Sequence, residues 1–140
     1  MHENLFSQFS TIGIVPVVKI DDATKAVGLA KAMIAGGIPI AEITFRTAAA
    51  AEAIALVTKA VPEMLVGAGT VTNVEFAKQA VAAGAQFIVS PGTTQELIDA
   101  ASAYTKLRKP TLQESDPNPT LILIAYRDGT NGALLLTRHV

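Results

Sequence analysis

Between residues 12 and 103 the sequence repeats one structural theme four times, and this repeat constrains the fold most. Each unit opens with a short apolar run typical of a buried strand and continues with apolar residues at helical spacing. The predicted strands cover residues 12–18, 37–46, 64–70 and 86–90. Strands that alternate with helices favour a parallel sheet, and unit starts every ~20–27 residues approach the ~30 per unit of an eight-fold barrel. The repeat predicts an α/β fold, either half of a TIM-like barrel with about four βα units or an open doubly wound sheet.

Helix starts are marked by residues that cap free backbone N–H groups. The Asp21–Asp22 pair precedes the first helical pattern and supplies an N-cap. Thr72 with Glu75, and Thr93 with Glu96, have the spacing of capping boxes. These signals predict helices that begin directly after the first, third and fourth strands.

The character of the chain changes after residue 106. A basic stretch leads into a polar, proline-punctuated linker at 113–119, and two apolar runs at 121–126 and 133–138 flank Asp-Gly and Asn-Gly dipeptides. Such dipeptides between apolar runs are typical of a β-hairpin. We predict a partial (βα)4 region over residues 1–106 and a divergent linker with a hairpin-like tail over residues 107–140.

Composition excludes several classes of function. With 140 residues, of which 50% are hydrophobic and 16% charged, the chain can form one domain with a sizeable core. A net charge of −1 gives no electrostatic case for nucleic acid or a membrane surface as partner. No apolar stretch reaches the ~20 residues that span a bilayer, so we expect a soluble cytoplasmic protein.

Metal and thiol chemistry is also disfavoured by the residues available. The chain has no cysteine, which excludes disulfides, thiolate metal sites and a cysteine nucleophile. Its two histidines, His2 and His139, lie near the termini, where a shared metal site is not expected. We therefore expect neither a thiolate nor a histidine metal site.

The second predicted strand carries charge where a buried strand normally carries none. Because side chains alternate across a strand, Glu42, Thr44 and Arg46 share one face and Ile43 and Phe45 share the other. Charged groups are costly to desolvate unless they meet a partner or a ligand. A purely structural ion pair is the alternative, and we favour a binding or catalytic site.

Other polar candidates also follow strands, where ligands bind in parallel α/β folds. Lys19 follows the first strand, Arg46 ends the second, Thr70 ends the third, and the Ser90–Gly92 turn ends the fourth. A carboxyl one step deeper than Arg46, among apolar neighbours, should have a raised pKa suited to proton transfer. The pattern predicts a site for a small acidic metabolite.

Space beside that carboxyl is expected from small residues on the third strand. Ala68 and Val66 share a face with Thr70, and we assign them to the lining next to Glu42.

Three blocks of the sequence resemble one enzyme family. The run Gly37-Ile-x-x-x-Glu42-Ile-Thr-Phe-Arg46 closely resembles a signature of the KDPG/KHG aldolases, which act on 2-keto-3-deoxy-6-phosphogluconate and 4-hydroxy-2-oxoglutarate. The blocks 67–71 and 83–92, Gly-Ala-Gly-Thr-Val and Ala-Gly-Ala-Gln-Phe through Ser-Pro-Gly, resemble further blocks of that family in the same order. The resemblance covers roughly residues 12–103.

The resemblance implies a TIM barrel, a homotrimer and a class I aldolase that needs no metal or cofactor. Such an enzyme cleaves the phosphorylated keto-deoxy sugar acid to pyruvate and glyceraldehyde 3-phosphate through a lysine Schiff base. It implies that Glu42 is the general acid/base and that Arg46 binds the pyruvate carboxylate. It also implies that Thr70 is a further substrate contact and that Pro91 lines the pocket.

The sequence departs from the family at the nucleophile. The family's lysine lies in a Lys-Phe-Phe-Pro-Ala-like block, which is absent, and neither Lys106 nor Lys109 matches it. Lys19 could face the pocket and is kept as a substrate-binding candidate, although a solvated lysine at a strand end is the commoner case. We therefore expect the chain to be inactive alone, with a non-catalytic fragment or scaffold as the alternative.

Overall fold

The computed structural model describes residues 5–92, 94–104, 123–126 and 134–137. Its strands and helices alternate along most of the chain, as the repeat predicts. The elements in chain order are α1 (Leu5–Ile12), β1 (Val17–Val18), a 3-10 turn (Ala23–Lys25), α2 (Ala26–Ala35), β2 (Ile40–Thr44), α3 (Ala50–Ala60), β3 (Leu65–Gly69), α4 (Val74–Ala82), β4 (Phe87–Ser90), α5 (Gln95–Tyr104), β5 (Leu123–Tyr126) and β6 (Leu134–Thr137).

The six strands form one sheet in the order of the chain, β1 to β6. The first five are parallel, and β6 runs antiparallel to β5. A doubly wound sheet reverses its strand order at a switch point, and this sheet does not. The fold is therefore α/β of the TIM-barrel type with four βα units, and the first of the two predicted architectures is confirmed.

One face of the sheet, here called the outer face, packs against helices α2 to α5. Apolar side chains from all four helices join alternate strand residues in one core. Alanines at the helix surfaces, such as Ala53 and Ala77, are fully buried and let the helices approach the sheet closely. The strand residues of this core are Ala41, Ile43, Phe45, Val66, Ala68 and Ile88.

The opposite face, here called the inner face, carries a second and smaller core at the amino ends of the strands. Ile40, Leu65 and Phe87 pack there against Phe9 and Ile12 of α1. The rings of Phe9 and Phe87 meet edge to face, with centroids 5.1 Å apart. Helix α1 therefore covers the lower inner face and leaves the carboxyl ends of the strands uncovered by this helix.

The first predicted strand was placed too early. Residue Ile12 ends α1, and β1 contains only Val17–Val18. Gly13 explains the boundary because it adopts φ 75° and its N–H donates to the carbonyl of Phe9 at 2.8 Å, which ends the helix. An apolar, β-branched sequence does not show by itself where the strand starts.

The helix caps were predicted to within one residue. Asp22 accepts a hydrogen bond from the Thr24 N–H at 3.0 Å, as expected. Helix α4 is capped by Asn73, which accepts from the Phe76 N–H at 2.8 Å, whereas the sequence pointed to Thr72. Asn is as good a cap as Thr and stands next to the first helical residue.

The last predicted capping box falls partly outside the described residues, which do not include Thr93. Thr94 fills the capping position of α5, and its hydroxyl accepts from the Leu97 N–H at 3.2 Å.

Two strands of the C-terminal region lie within the described residues. Strand β5 pairs in parallel with β4, and β6 returns antiparallel beside it, with Tyr126 opposite Leu134. The two strands of the predicted hairpin are therefore confirmed. Its turn, the linker and Lys106 and Lys109 lie outside the described residues, and the division at residue 106 stays a prediction. No helix in the described ranges is long and apolar enough to cross a membrane.

Candidate functional site

The site is built on one row of side chains across the inner face. The strand register places Val17 opposite Glu42, Glu42 opposite Gly67, and Gly67 opposite Phe87. Ile43, the neighbour of Glu42 in β2, belongs to the outer core. The predicted alternation along β2 is therefore confirmed, with the carboxylate on the inner face.

Glu42 is buried on the inner face. The residue is 9% exposed, and its carboxyl makes no hydrogen bond or close ion pair within the part of the chain that the structure describes. Burial raises the pKa of Glu42 above its ordinary value, and the nearby positive charge of Arg46 opposes that rise in part. A carboxyl kept dry in this way keeps its proton to a higher pH than an exposed glutamate does.

The carboxyl of Glu42 lies against the backbone of Gly69. A Cβ built on Gly69 would come within 2.7 Å of the Glu42 Cγ and within 2.5 Å of its Cδ, and it would overlap Oε1. Real Cβ atoms essentially never approach so closely. Only glycine therefore leaves room at this position for the observed placement.

The ring of Phe87 lies over a second glycine, Gly67. A Cβ on Gly67 would overlap the ring of Phe87, which lies across β3 in the same row as Glu42. Phe87 in turn contacts Phe9 of α1. These apolar groups form the floor of the row at Gly67, next to Glu42.

The space beside Glu42 was assigned to the wrong residues in the sequence. Ala68 and Val66 lie on the outer face, fully buried in the helix-covered core. Gly69 provides the space for the Glu42 carboxyl, and Gly67, two residues earlier, provides the space for the ring of Phe87. The signal was present as a Gly-x-Gly pair at strand spacing, because residues i and i+2 of a strand share a face.

Arg46 lies just beyond the end of β2, with its side chain exposed. The ion pairs of the described residues are Lys19 with Asp21 and Lys25 with Asp22, and neither involves Arg46. Its guanidinium is thus available to an anion near the carboxyl ends of the strands.

The loop that carries Arg46 is held at its base. The Thr44 hydroxyl donates to the Val18 carbonyl at 3.1 Å, and the Thr47 hydroxyl donates to the Ile20 carbonyl at 2.5 Å. These two bonds join the end of β2 to the chain that leaves β1, on either side of Arg46.

Lys19 is engaged elsewhere. Its Nζ donates to both carboxylate oxygens of Asp21, at 2.6 and 2.8 Å, and its side chain is 52% exposed. A role in substrate binding would require it to leave this ion pair, and that role stays a prediction.

Thr70 has an unusual backbone. It follows β3 directly with φ 56°, the one positive φ outside glycine in the described part of the chain. Such a value is a genuine outlier for a β-branched residue and often marks a functional segment. Its hydroxyl makes no hydrogen bond among the residues that the structure describes, and no sequence pattern predicts this backbone strain.

The turn after β4 lies at the carboxyl ends of the strands, as do Arg46 and Thr70. Ser90 is fully buried, and its hydroxyl donates to the Gly92 carbonyl at 2.5 Å, so it supports the turn itself. Pro91, expected to line the pocket, is exposed at the same edge of the sheet.

Together these groups can perform proton transfer beside a bound anion. Glu42 supplies the carboxyl within β2, Arg46 the cation just after β2, and Thr70 a hydroxyl directly after β3. Across the described ranges, no three residues of metal-binding type cluster together.

Comparison with known proteins gives the family of the chain. The sequence matches the family model described as KDPG and KHG aldolase over residues 6–131. That match starts before and ends after the region of resemblance noted from the sequence. A curated relative, the 2-dehydro-3-deoxy-phosphogluconate aldolase of Pseudoalteromonas atlantica, is 49% identical over 94 residues, which are 67% of this chain and 44% of the relative.

Solved structures give the same result. The KDPG aldolase of Legionella pneumophila, with pyruvate captured as a covalent carbinolamine intermediate, is 44% identical with a TM-score of 0.59. The match covers 61% of this chain and 42% of that one. The 2-keto-3-deoxy-6-phosphogluconate aldolase of Zymomonas mobilis with 3-phosphoglycerate is 36% identical with a TM-score of 0.62. That match covers 81% of this chain and 48% of the other one.

The chain spans a little under half the length of the curated relatives it matches. The family model nevertheless covers most of the chain, and the solved relatives share its fold at substantial sequence identity. The protein therefore belongs to the KDPG and KHG aldolase family.

Proposed function

We propose that this chain forms the part of an aldolase site that binds a 2-oxo acid and moves its proton. The observation that carries the proposal is the buried carboxyl of Glu42, which makes no hydrogen bond or close ion pair among the described residues and lies near the exposed guanidinium of Arg46. A buried polar group without a partner is costly, so its persistence favours a ligand. The substrate class, pyruvate and phosphorylated keto-deoxy sugar acids, follows from the relatives named above.

Arg46 is the proposed clamp for the carboxylate of the 2-oxo acid. Its planar guanidinium can donate two parallel hydrogen bonds to a carboxylate. Glu42 lies within β2, four residues before Arg46, and we assign its carboxyl to the carbons that follow the carboxylate of the ligand. We assign the hydroxyl of Thr70 and the edge at Pro91 to contacts with the same ligand.

Carbon–carbon cleavage also requires an amine. In a class I aldolase, a lysine amine adds to the keto carbon and water leaves, which forms an imine that accepts the electron pair of the broken bond. Glu42 would then return a proton to the enamine carbon. Within the described ranges, no lysine amine is recorded beside Glu42, and Lys19 is bound to Asp21. We infer that the isolated chain does not cleave the sugar acid.

Chemical trapping tests this inference. The chain is incubated with saturating pyruvate and cyanoborohydride and then analysed by intact mass spectrometry. We expect no mass increase, because no lysine amine within the described residues lies beside Glu42 to form the imine. A stoichiometric adduct on any lysine would show that the chain is catalytically competent and that this inference is wrong.

A binding titration tests the proposed clamp. Pyruvate is added to isotope-labelled protein, and amide shifts of residues around Arg46 and Thr70 are followed by NMR. Loss of a charge-assisted hydrogen-bond pair costs about 1.5–3 kcal/mol, so Arg46→Ala should weaken binding about tenfold to a hundredfold. Lys31→Ala, which removes an exposed cation on α2, should leave the affinity unchanged. Equal affinities for both variants would rule out the clamp.

A non-catalytic scaffold is the second candidate. The exposed apolar side chains Ile14 and Val17, 56% and 58% exposed at the β1 edge, favour an assembly that covers them. A homo-oligomer, with the family trimer as the first possibility, is the corresponding proposal. Analytical ultracentrifugation measures it, and a monomer at high concentration would exclude it.

A further inference from the structure

Different side chains lie over the two glycines of β3, Gly67 and Gly69. Glu42 stands opposite Gly67 in the register, yet its carboxyl lies over Gly69, one step nearer the carboxyl end of the sheet. The space over Gly67 is filled by the ring of Phe87. The carboxyl therefore leans along β3 to the nearest backbone without a side chain.

We propose that Gly69 is a positioning residue that directs the Glu42 carboxyl toward the carboxyl ends of the strands, where Arg46 lies. The lean depends on two conditions, a floor that excludes the carboxyl from Gly67 and a backbone at Gly69 that accepts it. This inference rests on the proposed function, because it concerns the same proton-transfer group.

Any side chain at Gly69 would displace the carboxyl. A methyl group would occupy the position of Oε1 and come too close to Cδ and Cγ, so rotation of the terminal carboxyl alone cannot relieve the overlap. The way toward Gly67 is closed by Phe87. The side chain must then turn away from β3 toward β1, where Val17 is largely exposed to water.

The direct test measures the ionisation of Glu42 without any ligand. Protein labelled with ¹³C at the glutamate carboxyl carbons is titrated by NMR, and Glu42→Gln identifies the resonance. In the parent protein this carboxyl should titrate above the ordinary glutamate range. In Gly69→Ala it should return toward that range because the displaced group meets water. Gly28→Ala, on α2 with open space around it, is the matched control and should leave the titration unchanged.

A double-mutant cycle keeps the test decisive if Gly69→Ala folds poorly. Gly69→Ala is made in the parent and in a Glu42→Ala background, and both stabilities are measured by urea denaturation. If the carboxyl causes the conflict, the substitution should cost much less stability in the background that lacks it. Equal losses in both backgrounds, failure of both to fold, or an unchanged Glu42 titration in Gly69→Ala would overturn the proposal.

Failure of this proposal can be told from failure of the proposed function. The titration and the cycle use no pyruvate, whereas the function is tested by pyruvate binding at Arg46. Normal positioning without pyruvate binding would reject the function alone. Arg46-dependent binding with an unaltered Glu42 titration in Gly69→Ala would reject the role of Gly69 alone.

Discussion

The two faces of the sheet, made by the same strands, have opposite chemistry. On the outer face, strand residues such as Ile43, Val66 and Ile88 are buried beneath four helices. On the inner face, α1 packs against Ile40, Leu65 and Phe87, and the Glu42 carboxyl lies against Gly69 nearer the carboxyl ends of the strands. Outer positions are therefore governed by apolar packing and inner positions by room for a buried carboxyl.

This difference follows from the cover available to each face. Burial of an apolar side chain beneath the helices stabilises the folded state, so large apolar side chains are favoured there. An inner position above α1 can hold a polar group at tolerable cost because Arg46 and open solvent lie nearby. Valine occurs at both kinds of position, which provides a matched comparison.

The largest effect should separate those two valines. Val66 is fully buried on the outer face and Val17 is 58% exposed on the inner face. Val66→Ala removes buried methyl groups and leaves a cavity, so the free energy of unfolding should fall by about 2–4 kcal/mol. Val17→Ala should change it by less than about 0.5 kcal/mol. Urea denaturation measures both, and equal losses would mean that the inner face is covered in solution.

A second comparison uses one glycine on the inner face of the sheet and one in a helix of the outer face. Gly67→Ala places a methyl group in the ring of Phe87 and should destabilise the protein by about 1–3 kcal/mol. Gly28→Ala, in α2 with nothing near its Cβ, should stabilise it by roughly 0.5–1 kcal/mol. Thermal and urea unfolding measure the difference. A Gly67→Ala variant as stable as the parent would show that Phe87 moves freely and that the floor of the site is not rigid.

The outer face could be predicted well from the sequence. Apolar periodicity and punctuation by glycine and proline placed β2, β3 and β4 and their helices, because those signals are local. Alternation also put Glu42 on the face opposite Ile43, since the period of a strand is two. The family followed from short blocks in a fixed order, which the comparison with known proteins confirms.

Much of the inner face could not be predicted in the same way. Helix α1 was missed, although its contacts with Phe87 and Leu65 build the floor, because an isolated short helix has no strong local signal. The space beside Glu42 was assigned to Ala68, on the wrong face. The Glu42 carboxyl lies over Gly69 and not over Gly67, its partner in the register. Three-dimensional packing determines this placement, and sequence periodicity contains no information on it. The predicted substrate contacts of Lys19 and Pro91 stay predictions.

A third comparison concerns strain at the open end of the inner face. Thr70 adopts φ 56°, whereas Thr72 in the same loop has no such strain. Left-handed backbone costs a residue with a Cβ roughly 1–2 kcal/mol, so Thr70→Gly should stabilise the protein by about 0.5–1 kcal/mol. Thr72→Gly should destabilise it slightly because the unfolded chain gains freedom. If Thr70→Gly also weakens pyruvate binding, the strain serves the side chain; unchanged binding would leave Thr70 with no role in the site.

The smallest effect is the pH dependence contributed by Glu42, because Arg46 offsets part of the cost of burial. The pKa of this carboxyl is raised in the folded chain above its ordinary value of 4.5. Between the two values the folded state binds more protons than the unfolded state, so stability falls as pH rises through that window. Below this pH window the carboxyl is protonated in both states, so ionisation costs no stability, and above the window the loss of stability is constant. Glu42→Gln, which cannot ionise, should lack this loss and be the more stable protein at neutral pH. Urea denaturation from acid to neutral pH gives both curves. Parallel curves would mean that the carboxyl is as well solvated in the folded chain as in the unfolded one, and the contrast between the two faces would then lose its chemical meaning.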